Sequence, residues 1–280
     1  MENFRIAVDD RELADLRDRL ERTRWPDAET VDWSQGVPLE YLRSLCAYWA
    51  DGYDWRAFEK RVNALPQYRT TIDGVGIHFA HVRSPHPGAL PLVLTNGWSG
   101  SIVEYLDVIG PLTDPVAHGG SAADAFHVVL PTLPGYGFSD KPVSPGWDVQ
   151  RIADAWAALM ASLGYTRYGA HGSDWGNSIT TAMGQQHPEV LAGIHVQPPI
   201  AAPDPATFSD LSPREREGAG RARRGGVAGV GLLGRAVDET ADRRVRVGGL
   251  AGRVVLVDRG EVPLVGGLGQ RPDATSCSTT

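Results

Sequence analysis

Residues 165–176 read Y-T-R-Y-G-A-H-G-S-D-W-G. A short apolar run ends in small residues, a polar residue stands between glycines, and a helical pattern follows. Within it, Gly172-Ser173-Asp174-Trp175-Gly176 has the spacing of a G-x-S-x-G turn, with Asp174 where serine usually stands. That spacing predicts a strand, a sharp turn and a helix, with the acidic side chain at the tip. The two glycines belong where a strained turn brings helix against strand and leaves no room for a side chain. Trp175 opens the helix, where its backbone N–H and the helix dipole would steady a carboxylate or a developing oxyanion. An aspartate so placed is a candidate nucleophile, because a carboxylate attacks electrophilic carbon and forms an ester. A capping aspartate ahead of an ordinary helix is the alternative, and the stretches upstream weigh against it.

Working outward, Val149, Ile152, Trp156, Leu159, Met160 and Leu163 lie on one helical face that ends at Gly164. Residues 126–130 and 92–94 are short buried strands. They run into a Pro/Gly-rich loop over 131–140 and a second loop over 95–101, after which Ile102, Leu106 and Ile109 begin a helix. Residues 67–73 and 77–83 flank Gly74-Val75-Gly76 as a hairpin. Strands alternating with helices predict an α/β fold with a mainly parallel sheet and right-handed crossovers. Sites in such sheets lie at the carboxyl ends of the strands, where both loops and Asp174 fall. Ahead of the sheet, three amphipathic helices are expected: Leu13, Leu16 and Leu20 after Asp9; Leu39, Leu42, Leu45, Cys46 and Trp49 after Pro38; and Trp55, Phe58 and Val62 after Asp54. They read as a structural layer packed on a neighbour.

The 280 residues suffice for one sizeable core, or a core with a small cap. A net charge of −7 argues against nucleic acid or an anionic membrane as partner. No apolar stretch is long enough to cross a bilayer, and the N-terminus has no signal-peptide pattern. Cys46 and Cys277 show neither metal spacing nor a disulfide framework. The expectation is a soluble cytoplasmic protein without cofactor or metal.

Taken together, these stretches resemble the microsomal-type epoxide hydrolases, α/β-hydrolase enzymes with a helical N-terminal extension. The resemblance covers residues 4–213. It is carried by Trp25-Pro26, Gly52-Tyr53-Asp54-Trp55-Arg56, Pro66-Gln67-Tyr68-Arg69-Thr70, Ile77-His78-Phe79, and the stretches 96–101, 133–140 and 171–176. It implies a small hydrophobic epoxide as substrate, Asp174 as nucleophile, and the backbone N–H groups of Trp98 and Trp175 as the oxyanion hole. Tyr136 and Phe138 would line the pocket, with core packing an equal alternative for both. His171 reads as a residue pinning the elbow strand rather than as a general base. The family usually has His at position 96 and Pro at position 99, where this chain has Asn96 and Ser99. A haloalkane dehalogenase-like hydrolase with the same nucleophile is the nearest alternative, and a ligand-binding remnant without chemistry is another.

Discharging an Asp ester takes a His-activated water and an acid to orient the His. Only His187 and His195 follow Asp174, and neither matches the family's catalytic His. No tyrosine follows Tyr168 to supply the cap acid the family uses. The expected organisation is therefore a helical extension over 1–66, a partial hydrolase core over 67–213, and an atypical tail over 214–280. That tail has no aromatic residue and roughly a fifth of its residues are glycine, against a typical ~7%. Stretches 227–233 and 254–257 are nonetheless too apolar for an ordinary solvated tail. Codons compatible with residues 245–251 and 257–265, read one base later, spell strings similar to segments that follow the elbow in this family. The expectation is a frame slip near residues 215–220, with the later strands, acid and His lost. A truncated sheet would leave an unpaired edge and a marginally stable or aggregating chain.

Overall fold

The chain begins with a strand that the helical pattern did not announce: Glu2–Phe4 (β1) pairs antiparallel with Gln67–Ile72 (β2). The computed structural model describes residues 1–197 and, beyond them, the backbone of two short strands at 244–247 and 255–258. The expectations for 198–213, for the frame slip and for most of the tail lie outside the described residues. Val75–Val82 (β3) completes a hairpin with β2, in register with Ile72 opposite Val75. The turn is the two residues Asp73 and Gly74, both at positive φ, 49° and 80°, rather than the expected Gly74-Val75-Gly76, because Val75 and Gly76 already pair with β2. That geometry matches the twist of the flanking strands.

The extension's helices start where their caps predict. The Asp9 carboxylate accepts the Arg11 N–H at the head of Asp10–Glu21 (α1). Leu39–Ala47 (α2) follows Pro38 and passes into a π turn, Tyr48–Gly52. Asp54 caps Trp55–Val62 (α3) through the Ala57 N–H. The expected packing holds for α3, whose Val62 and Phe58 join the core. It holds only in part for the stripe of α2: Leu39, Leu42 and Cys46 are half-buried, while Leu45 and Trp49 stay exposed.

Leu90–Thr95 (β4), Phe126–Pro131 (β5), Tyr168–Ser173 (β6) and Leu191–Gln197 (β7) complete a seven-stranded sheet in the order β1-β2-β3-β5-β4-β6-β7. Strands β2, β4, β5, β6 and β7 run one way; β1 and β3 oppose them. The helices are Leu106–Thr113 (α4), Val149–Ser162 (α5) and Trp175–Gln186 (α6). The two-residue period of the strands sorts the core into two layers. Ile77, Phe79, Val93 and Val129 meet Trp156, Leu159 and Met160 of α5 and Ile179 and Met183 of α6. Ala80, Leu94, Val128 and Leu130 face α4 and the extension through Ile109, Ile6 and Val62. The remaining strands, Arg244–Val247 (β8) and Val255–Asp258 (β9), form an antiparallel pair.

His78 on β3 fastens the extension to the loop after β5. Its ring has no solvent exposure. Nε2 donates to Gln67 Oε1 at 2.9 Å, a proton position that follows because the Gln67 amide nitrogen donates to the Val62 carbonyl. Nδ1 then accepts the Thr132 hydroxyl at 2.8 Å. The His78 N–H donates to Ser139 Oγ, and its carbonyl accepts the Thr132 N–H. Asp140 closes the loop by pairing with Arg69 and accepting the Gly76 N–H.

Burial pushes His78 down to about 4 from an ordinary value of 6.5, and His81 likewise. The unfolded chain therefore binds protons before the native one, so the stabilisation is complete above about pH 6.5 and is lost as pH falls toward about 4. Urea midpoints should drop across that window. His78→Phe should cost about 2–4 kcal/mol, because it orphans the Gln67 carbonyl and the Thr132 hydroxyl. It should also flatten the pH dependence.

Candidate active site

Strand β6 ends in Gly172-Ser173, and the chain reverses at Asp174 into α6. Asp174 sits at φ 53°, ψ −119°, a conformation that costs on the order of 1–3 kcal/mol in a residue with a side chain. Its surroundings hold it there. The Asp174 N–H donates to the Gln197 carbonyl at 3.3 Å, and the Asp174 carbonyl accepts the Asn177 N–H at 3.0 Å. The glycines are needed for the reason the spacing implied. A Cβ at 172 would stand 1.9 Å from the Gly176 carbonyl oxygen, and one at 176 would stand 2.0 Å from that of Thr95.

The neighbouring strand brings the partner. Past the end of β4, the Trp98 N–H donates to Asp174 Oδ1 at 3.0 Å, across 76 residues of sequence. Gly97 makes that approach possible, since a Cβ there would lie 2.3 Å from the Asp174 Cβ and 2.5 Å from Oδ1. Asn96 is buried and donates its side-chain amide to the Gly97 carbonyl at 2.8 Å, which stiffens the loop locally. The Trp98–Ser99 peptide is cis. Trp175 is the first residue of α6, so its N–H lies at the positive end of that helix. The three expected residues Asp174, Trp98 and Trp175 are thus together, and all are exposed.

The other candidates divide. Tyr136 stands exposed on the loop that follows β5, at the same end of the sheet. Phe138 instead turns toward the extension, with its ring 5.6 Å from Phe4 and 5.5 Å from His78, so packing accounts for it. His171 stacks on His195 at 4.6 Å and meets the Tyr105 ring edge-on. Burial and the neighbouring His195 push His171 down to about 4, and burial lowers His195 as well. Both imidazoles are neutral near pH 7. His187 caps the far end of α6 and binds Asp154 at 2.8 Å. None of these three bonds to the Asp174 carboxylate.

Sequence reasoning missed Gly97 and Tyr105. Gly97 had a signal in its place directly before the Trp98 donor. Tyr105 had none, for it sits within an apolar helical stripe, and its hydroxyl finds the Thr95 carbonyl only in the folded chain. A cleft of about 360 Å³ lies between the start of α5 and α6, lined by Asp148, Asn177 and Thr181 among others, and Asp174 is not in its wall. Among the described residues, no group of three His, Cys, Asp or Glu side chains could hold a metal, and no helix is long and apolar enough to cross a membrane.

Comparison with known proteins identifies the family and the fold. The family model described as "Epoxide hydrolase N terminus" matches residues 1–105, and that for the "alpha/beta hydrolase fold" matches residues 91–218. A putative epoxide hydrolase of Stigmatella aurantiaca is 54% identical over 231 residues, 82% of this chain and 52% of the relative. Epoxide hydrolase 1 of Oryctolagus cuniculus is 35% identical over 198 residues, 69% of this chain and 44% of the relative. Among solved structures, the Aspergillus niger epoxide hydrolase superposes with a TM-score of 0.68 at 28% identity, covering 80% of this chain and 59% of that one. The juvenile hormone epoxide hydrolase of Bombyx mori gives 0.62 at 34% identity, covering 70% and 52%. The chain spans about half the length of the curated relatives it matches. It is a member of the epoxide hydrolase family, with an α/β-hydrolase fold.

Proposed function

We propose that this chain opens epoxides by forming an ester at Asp174. The observation that carries the proposal is the bond from the Trp98 N–H to Asp174 Oδ1 at 3.0 Å. With Oδ1 so held, Oδ2 is the oxygen that attacks an epoxide carbon. The C–O bond to the ring oxygen breaks, and that oxygen takes a proton from solvent water to become a hydroxyl. Oδ1 becomes the ester carbonyl. When water adds to the ester carbon, the negative charge develops on Oδ1, where the Trp98 and Trp175 N–H groups would bind it. The diol then leaves and the carboxylate is regenerated. The substrate class is a small hydrophobic epoxide, with exposed Tyr136, Trp98 and Trp175 as apolar surface at the sheet's carboxyl end. In this reading residues 1–66 are the N-terminal extension and the hydrolase core begins at residue 67.

Discharge of the ester is the step these 280 residues serve least. The sequence has no histidine after His195, and His171, His187 and His195 are all engaged away from the carboxylate. The 280-residue chain treated with styrene oxide should therefore gain the mass of one epoxide, mapped to Asp174, and the adduct should persist. Asp174→Asn should show no adduct. An unmodified wild-type chain, or one modified elsewhere, would refute the assignment, and faster labelling by an alkyl bromide would favour a dehalogenase.

Gly97→Ala tests the approach of the two loops. The backbone at 97 accepts a side chain, and the three atoms nearest an added Cβ all belong to the Asp174 side chain. The variant should fold, as judged by its circular dichroism and urea midpoint, while ester formation slows by about 100-fold or more.

A further inference from the structure

We infer that Tyr105 is a positioning residue for ester formation: its hydroxyl, through the Thr95 carbonyl, sets the placement of the Trp98 N–H against Asp174. This rests on the reading of Asp174 as nucleophile. Tyr105 ends the 3-10 turn Ile102–Tyr105 that leads into α4, and its side chain is buried. The phenol donates to the Thr95 carbonyl oxygen at 3.0 Å. Thr95 is the last residue of β4, three before the Trp98 donor, and pairs with Gly172 of the elbow strand.

That same oxygen is where the elbow touches the donor loop, for it is the atom a Cβ on Gly176 would strike. Thr95 therefore joins the two arms of the site, and Tyr105 holds it from the α4 side. The phenol also reaches the nucleophile's own strand. Ser173, the residue before Asp174, faces the phenolic oxygen, and the His171 ring lies edge-on to the Tyr105 ring at 5.8 Å. Burial raises the phenol to about 12, so it remains a donor over the whole working range of pH. Without the hydroxyl, the Thr95 carbonyl loses the bond that holds it from the α4 side and can tilt. A shift of a fraction of an ångström then passes through three residues to the Trp98 N–H. Displacements of that size are what a reaction held in a near-attack geometry does not tolerate.

Tyr105→Phe keeps the ring and removes only the hydroxyl. Tyr165→Phe is the control: it removes a phenol that bonds His81 Nε2 at 2.9 Å, at the start rather than the end of the β6 segment. Two readouts are taken. The first is the Trp98 amide proton shift in 1H–15N spectra across a pH titration, which in the wild type follows the carboxyl it donates to and loses that dependence in Asp174→Asn. Tyr105→Phe should reduce the pH-linked shift by half or more, and Tyr165→Phe should leave it intact. The second is styrene oxide labelling. Here Tyr105→Phe should lower the maximal rate of ester formation about tenfold with little change in the half-saturating concentration, a split that a loss of stability alone does not produce.

A full pH-linked shift and an unchanged labelling rate in Tyr105→Phe would overturn the inference, as would equal losses in Tyr165→Phe. Absence of an adduct in the wild type would instead overturn the nucleophile reading. The amide titration would still decide whether Tyr105 positions Trp98.

Discussion

Three backbones meet without side chains where β6 turns into α6, and the site depends on that contact. Gly172 lies against the Gly176 carbonyl, and Gly176 lies against the Thr95 carbonyl at the end of β4. A methyl group at either glycine would have to push backbone aside, which no rotamer change relieves. Close approach draws the end of β4 to the start of α6, and this brings a donor from residue 98 onto a carboxylate at residue 174. The elbow's positive φ at Asp174 is the conformational cost of that geometry, offset by the packing around it. Gly97 extends the same logic one residue past the strand, where it is the aspartate side chain rather than backbone that excludes a Cβ.

Around this contact the sheet is stiffened by polar groups that are buried and bonded. His78 links the extension to the 132–140 loop through a chain of bonds from Ile6 to Asn63, Gln67, the imidazole and Thr132. Each member is both donor and acceptor, or is placed so that its one role is used, and burial keeps the imidazole neutral. Such a network is worth more intact than in parts, because the loss of any member strands its neighbours in a low-dielectric setting. The extension is thereby part of the sheet's own architecture, with β1 as an edge strand, rather than a separate helical layer. The outer face of α2 and the π turn after it is different, being exposed over Tyr41, Leu45, Tyr48 and Trp49.

Much of this was legible in the chain. The elbow, a hairpin around Gly74, the caps at Asp9 and Asp54, and the alternation that sorts Ile77 and Phe79 from Ala80 all follow from local rules, although the turn itself falls one residue before the expected Gly74-Val75-Gly76. Each depends on residues within a few positions of one another. The strand β1 was not legible, since three residues carry too short a pattern to distinguish strand from coil. Phe138 could not be assigned from sequence either. On a loop just after Gly137, an aromatic ring can face either way, and the Phe4 ring that receives it comes from 134 positions earlier.

The sequence by itself determined the kind of turn, the chemical identity of its tip and the order of strands and helices, because spacing, glycine placement and periodicity are properties of short stretches. Tertiary structure alone decided which donor meets the carboxylate, that Asn96 and Tyr105 hold the donor loop, and that His171 faces His195 instead of Asp174. The physical reason is register. Once β4 and β6 pair with Thr95 beside Gly172, contacts across 70 to 80 residues are set to within an ångström. That pairing is a collective result of core packing, which no single segment encodes.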